Sequence, residues 1–190
     1  GETNKALMTT DGGNQRQQFG TSVKTEKGEK KGVATIVLYM AASVMSGVNL
    51  CPWASKGCAK ACLGHTTGRL RMSTAQRAQL MKALAWHVSK SSFLRQMDRE
   101  IQKHILKCEK DGYIPAVRCN GSTDILWERY GVPQRHPAAQ FYDYTKAPHR
   151  ARRAVDSIPN YHLTFSVSER QKSVAEAVRY LKAGGTPRLS

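Results

Sequence analysis

With 190 residues, 40% of them hydrophobic and 23% charged, the chain has the composition of a soluble globular protein and the length for a substantial core. No apolar run reaches the roughly 18–20 residues of a membrane span; the longest, Val33 to Val48, is broken by Ser43, Ser46 and Gly47. The net charge of +16, from 30 Lys and Arg against 14 Asp and Glu, favours a polyanionic partner such as a nucleic acid or nucleotide, with a solvated basic surface as the alternative.

Residues 1 to 31 are polar, with Gly12-Gly13, a glutamine-rich patch and the basic run Lys24 to Lys31. They lack apolar periodicity and read as a flexible basic arm with room for one short strand. No charged segment followed by an apolar one opens the chain, so the expectation is a cytoplasmic protein without a secretory signal. Residues 32 to 190 read as one domain.

Val33 to Ala41 is a continuous β-branched and apolar run, suited to a strand buried on both faces of a parallel sheet. Beyond it comes Cys51-Pro-Trp-Ala-Ser-Lys-Gly-Cys58-Ala-Lys-Ala-Cys62-Leu-Gly-His65, which holds three of the five cysteines. An odd cysteine count in a reducing compartment argues against a disulfide framework and for a metal or cluster. Cys51, Cys58, Cys62 and His65 would make a closed zinc site, whereas three thiolates would hold three irons of a [4Fe-4S] cluster. The position after the first strand of a βα series favours the cluster.

Ser73 with Gln76 has the capping-box pattern of a helix start; Ala75, Ala78, Met81, Ala85 and Trp86 mark one face. A second helix from near Phe93 carries Phe93, Met97, Ile101, Ile105 and Cys108 on one apolar stripe and ends at Gly112. Pro115 to Gly121 reads as a strand, Ile125 to Tyr130 as helix-prone, Gln140 to Thr145 as a strand and Arg150 to Asp156 as a short helix. Tyr161 to Val167 is a further strand, Val174 to Leu181 a helix, and Pro187 to Leu189 a fifth strand. The alternation predicts an α/β fold with mainly parallel strands, a partial (open) βα barrel with the cysteine loop after its first strand.

In such sheets the working groups lie beyond the carboxyl ends of the strands. That rule selects Asn120, Ser122 and Asp124 after the second strand, Asp143, Thr145 and Lys146 at the third, and Ser166, Ser168 and Glu169 at the fourth. Asp124, Asp143, Lys146 and Glu169 are the candidate catalytic groups. Asn120, Ser122, Tyr144, Ser166 and Ser168 are candidates for holding a cofactor. Arg118, Tyr142 and Tyr144 point into the same mouth or pack within it. Asp124 has the alternative of a helix cap. Cys108 belongs to an apolar stripe, and Cys119 is a candidate fourth ligand. Arg69 and Arg71 after the cysteine loop, with Arg150, Arg152 and Arg153, form the candidate nucleic-acid contact.

Several separate stretches in the same order carry a resemblance: Leu38 to Ser43, Ser46 to Leu63, Gly68-Arg69, Arg118 to Ile125, Phe141 to Lys146 and Tyr161 to Ser166. They resemble the bacteriophage and prophage proteins of the mycobacteriophage "gene product eighty-eight" group. This resemblance implies a phage-encoded protein of the host cytoplasm and brings no activity with it. The layout is also similar to radical S-adenosylmethionine enzymes, in which a three-cysteine loop follows the first strand of a partial βα barrel. Their spacing is C-x3-C-x2-C against C-x6-C-x3-C here, and Asn120-Gly121-Ser122 stands where a Gly-Gly-Glu-like motif would be. S-adenosylmethionine is therefore a cofactor candidate on architecture alone. The resulting expectation is an iron–sulfur enzyme of radical-SAM-like architecture acting on a nucleic acid or nucleotide. Its alternative is a non-enzymatic, zinc-stabilised nucleic-acid-binding protein.

Overall fold

The structure, a computed structural model, describes residues 17–21, 25, 28, 31–42, 45–62, 72–147, 149–150, 157–184 and 187–189. Its centre is a six-stranded sheet in sequential order: β1 (Phe19–Gly20), β2 (Val33–Leu38), β3 (Ile114–Arg118), β4 (Gln140–Thr145), β5 (Tyr161–Val167) and β6 (Pro187–Leu189). β1 runs antiparallel to β2, and every pair from β2 to β6 is parallel. The sheet is open, with β1 and β6 at its edges. Sequential parallel strands joined by right-handed crossovers step always the same way, which places the connecting helices on one face.

That face carries the core. Ile36, Leu38, Val117, Phe141, Tyr161 and Leu163 project onto α2 (Ser73–Val88) and α3 (Lys90–Asp111), which follow the short α1 (Lys56–Lys60). The α3 stripe Phe93, Met97, Ile101, Ile105 and Cys108 is buried as its spacing requires, at about 1.5–3 kcal/mol for each fully buried large apolar side chain. Gly112 ends the helix in the left-handed conformation, at φ 74, where glycine has no Cβ penalty. Trp86 packs edge to face or tilted on Phe93, Trp127 and Tyr130, and these contacts lock the α2–α3 pair to the 3-10 turn Trp127–Tyr130. A short α4 (Val132–Arg135) follows that turn. Past β5, α5 (Gln171–Lys182) adds Ala177 and Tyr180 against Phe165 and Val167.

Several sequence expectations shift. The strand expected to reach Ala41 stops at Leu38, because Met40 turns its N–H and C=O to the Ser122 hydroxyl instead of to a neighbouring strand. The strand expected to reach Gly121 stops at Arg118, where the Asn120 N–H leaves the ladder for the Asp143 carboxylate. Ser73 is the first residue of α2 and not its cap; Met72 holds the cap position and makes no side-chain bond there. The buried face of α2 is Gln79, Ala83 and Trp86, while Ala78, Met81 and Ala85 are exposed. Within the expected arm, Gln18 and Phe19 are buried, and their N–H groups both donate to the Glu100 carboxylate of α3. The short helix expected at Arg150 to Asp156 lies outside the described residues beyond Arg150. Among the described residues no helix is long and apolar enough to cross a membrane.

Candidate functional site

The cysteine segment follows β2 in the chain and is docked to the turns at the carboxyl ends of β3 and β5. Beyond β2, Gly121 N–H donates to Leu38 O at 2.9 Å, and Ser122 Oγ both donates to Met40 O at 2.6 Å and accepts from Met40 N–H at 3.1 Å. A Cβ on Gly121 would meet Leu38 O and a Val37 methyl at 2.7 Å, so only glycine lets the two backbones come this close. From the same turn, Ser122 O receives the Cys51 thiol at 3.6 Å and Asp124 N–H donates to Leu50 O at 2.9 Å.

The far end of the segment is held from β5. Ser55 is the N-cap of α1: its Oγ accepts the Cys58 N–H at 3.0 Å while its hydroxyl donates to Glu169 Oε2 at 2.8 Å. The Ser55 hydroxyl, followed by other hydrogen bonds that include Gly57 N–H, draws the Glu169 carboxyl below the usual glutamate range. A Cβ on Gly57 would stand 2.8 Å from Glu169 Oε1. Sequence reasoning named Glu169 and missed Ser55, although a serine three residues before the residue whose N–H it caps is the ordinary signature of a helix start. Trp53 adds an edge-to-face contact with His149, ring centroids 4.8 Å apart.

Behind this layer lies a buried charge network on the helix-covered face. Arg150 is 3% exposed. Its guanidinium donates to Asp124 Oδ1 at 2.7 Å, to both Glu128 oxygens at 2.8 and 2.9 Å, and to Tyr161 OH at 2.7 Å. Tyr161 OH in turn donates to Asp143 Oδ2 at 3.1 Å, and Asn120 N–H donates to Asp143 Oδ1 at 2.7 Å. Asn120 Oδ1 accepts from Thr123, Ile125 N–H and the Trp127 indole, and its amide donates to Ile125 O. Asp124 Oδ2 accepts from the Thr145 hydroxyl and Lys146 N–H.

Burial raises the Asp143 carboxyl to about 6, against the opposing pull of Arg150 and Arg118. Burial also raises Asp124, with Arg150 the main counterweight. Burial, reinforced by Asp143, pushes the Cys119 thiol well above its usual range.

On the opposite face the parity of the strands presents Thr35, Arg118, Tyr142, Tyr144, Thr164 and Ser166. The Arg118 guanidinium lies over the Tyr144 ring, 4.9 Å from its centroid. Lys146 Nζ stands 3.4 Å from Ser166 Oγ.

The structure thus sorts the expected residues into three groups. Asn120, Asp124, Asp143 and Arg150 join one internal network. Arg150, expected at a phosphate, is enclosed by carboxylates and presents no free face to one. Asp124 is neither a cap nor solvent-facing; it anchors the arginine. Asn120 has its side chain committed internally, so it offers no group to a cofactor. Ser122, Cys51, Cys58 and Glu169 form the docked layer, and Tyr144, Lys146 and Ser166 share the open face. Ser168 N–H caps onto Ser173 Oγ at the start of α5. His65, Arg69, Arg71, Arg152 and Arg153 lie outside the described residues.

Cys51, Cys58 and Cys62 are half-buried, and Cys108 and Cys119 are buried. Three soft donors on one docked segment suit a thiophilic metal. Their positions do not yet form a ligand set: among the described residues no three His, Cys, Asp or Glu side chains gather to hold a metal ion. A cleft of about 260 Å³ opens beside the segment, between Leu50, Pro52, Trp86, Lys90, Leu126 and Arg129.

Fold and site together define an open, mostly parallel α/β protein whose polar groups collect at the strand ends. A family model described as Gene product 88 matches residues 8–186, and the chain belongs to this phage gene-product family. No curated protein and no solved structure matches it.

Proposed function

We propose that the chain is an iron–sulfur protein built on an open βα barrel, acting on a nucleic acid or nucleotide at the carboxyl ends of β2 to β5. The observation that carries this reading is the docking of the cysteine segment to the ends of β3 and β5 through Ser122 and Glu169. A segment with only a structural metal has no need of a charged tether from a strand more than a hundred residues away. Sequential parallel strands with the long helices on one face support the barrel.

Cys51, Cys58 and Cys62 would hold the cluster, which supplies one-electron chemistry when bound. The chain's own contribution is positioning. Glu169 and Ser55 fix the start of α1 and therefore the Cys58 backbone. Ser122 fixes the turn against Cys51, and Gly121 brings that turn onto β2. Lys146 and Arg118 supply positive charge at the neighbouring strand ends. Radical chemistry with S-adenosylmethionine draws support from architecture only, since Asn120 is committed to internal bonds.

Anaerobic purification followed by iron, acid-labile sulfide and zinc analysis tests this reading. The expected result is a coloured protein with iron and sulfide in equal amounts, both lost in Cys58→Ser. A colourless protein with stoichiometric zinc would replace it with the second reading, a zinc-stabilised nucleic-acid-binding protein, which the net charge of +16 favours.

A further inference from the structure

Arg118 sits at the carboxyl end of β3, in register with Val37 of β2. Its Nε is buried and has no hydrogen-bond partner among the described residues. A guanidinium is always charged, so a buried N–H of this kind without an acceptor carries a large desolvation cost. Contact with the Tyr144 ring at 4.9 Å fixes the guanidinium plane but supplies no acceptor. The contrast with Arg150 is direct: Asp124 and Glu128 pair with that arginine, whereas Arg118 forms no ion pair with a carboxylate among the described residues.

The surroundings of Arg118 repeat that bias. Tyr142, Tyr144, Thr164 and Ser166 alternate outward on β4 and β5 and are half-buried. None is acidic, because Asp143 projects to the opposite face, where Asn120 and Tyr161 hold it. Lys146 leaves β4 on the same side and reaches Ser166 Oγ. The Tyr142 phenol is bonded to the Thr35 side chain, so it stands beside Arg118 as a fixed wall.

We infer that the face of the sheet bearing Arg118, Tyr144, Lys146 and Ser166 is a binding site for a small phosphate monoester, with Arg118 as its principal anchor. A phosphate suits it because a planar guanidinium and a flexible ammonium, with a hydroxyl between neighbouring strands, match several oxygens at once. A small ligand suits it because the unpartnered Nε is buried beside an aromatic ring. The flat flank of a duplex cannot reach it there. The site shares its location with the reading above but not its metal, so it is testable whether or not the cysteines bind iron.

The test is isothermal titration of the full chain with inorganic phosphate and with adenosine monophosphate, metal content being measured on the same preparation. Both ligands are expected to bind saturably and to compete. Arg118→Gln is expected to weaken both by about ten- to a hundredfold, the scale of a charge-assisted bond. Arg118→Lys guards against a folding defect: with an unchanged circular dichroism spectrum, it should bind phosphate more weakly than the native chain and more tightly than Arg118→Gln. Absence of saturable binding, or equal affinities in native protein and folded Arg118→Gln, overturns the proposal. So does displacement of phosphate by an oligothymidylate without terminal phosphate that shows the same Arg118 dependence, since that makes the face a strand groove. A protein that binds phosphate but holds no iron retains this site and loses only the cluster.

Discussion

Arg150 shows how much depends on one side chain. Four hydrogen bonds from its guanidinium reach Asp124, Glu128 and Tyr161, and the arginine itself is buried. The arrangement does not make the ion pairs a net gain, since desolvation offsets most of the attraction, but it makes their disruption expensive. Arg150→Met should therefore destabilise the fold by roughly 3–5 kcal/mol, because it strands the buried Asp124 carboxylate and the half-buried Glu128; urea denaturation at pH 7 measures it. Asp143 gives the pH signature of the same network. Its folded carboxyl titrates at about 6 against a reference of 3.8, so between those values the folded state holds more protons than the unfolded one. The contribution of this group is fully present below about pH 4 and is lost as pH rises through 6. Asp143→Asn should remove that falling limb: the gap between native and variant urea midpoints should shift steadily from pH 4 to 6 and then stay constant. A gap that is flat across this range would show that Asp143 titrates normally.

At the scale of elements, α1 is the least self-sufficient part of the fold. It has five residues and buries none of them, far short of the length at which a helix holds itself in water. Its stability must come from the Ser55 cap and the Glu169 carboxylate. Ser55→Ala should cost about 1 kcal/mol and concentrate that loss locally, raising amide exchange at residues 58–60 while leaving exchange in α3 unchanged. Uniform acceleration across both helices would mean that Ser55, which is 1% exposed, acts on the core as a whole. These elements also show what was legible in the sequence. The bounds of β4 and β5 could be read directly, because Phe141, Asp143 and Thr145 alternate with Tyr142 and Tyr144, and Tyr161, Leu163 and Phe165 with their polar neighbours. The α3 stripe was equally plain. The buried face of α2 was not, since it is set by tertiary contacts: Gln79 O accepts the Ala41 N–H, which draws a polar residue inside and leaves Met81 out. β1 was hidden in a polar arm because two residues show no period and its anchor, Glu100, is 81 residues away. Arg150 looked like part of a basic surface run because the carboxylates that enclose it lie 22 and 26 positions earlier. The strand-end rule selected Glu169, Ser122 and Lys146 together with Asn120, Asp124 and Asp143, but it could not tell that the last three join one internal network.

For the molecule as a whole, the charge is distributed unevenly. Asp124 and Glu128 pair with Arg150, and Asp143 is buried behind Tyr161, so three acidic groups are drawn inward against one arginine and the surface carries a larger positive excess than the net charge of +16 suggests. Such a surface attracts any polyanion by releasing its counterions, and the hallmark of that interaction is its dependence on salt. If the exposed Lys and Arg make six to ten phosphate contacts, affinity for a short DNA or RNA should fall by about a thousandfold or more between 50 and 200 mM salt. Fluorescence anisotropy with a labelled oligonucleotide measures this slope. A phosphate monoester held at Arg118 behaves differently, because it brings few charges and displaces no condensed counterion layer, so its affinity should change far less over the same range. The two slopes separate recognition at the sheet from attraction to the surface. A steep slope for the oligonucleotide alone would place nucleic-acid binding on the exposed cations and leave the sheet face for a small ligand. Nearly salt-independent binding of the oligonucleotide would remove the basic surface from the account of its partner.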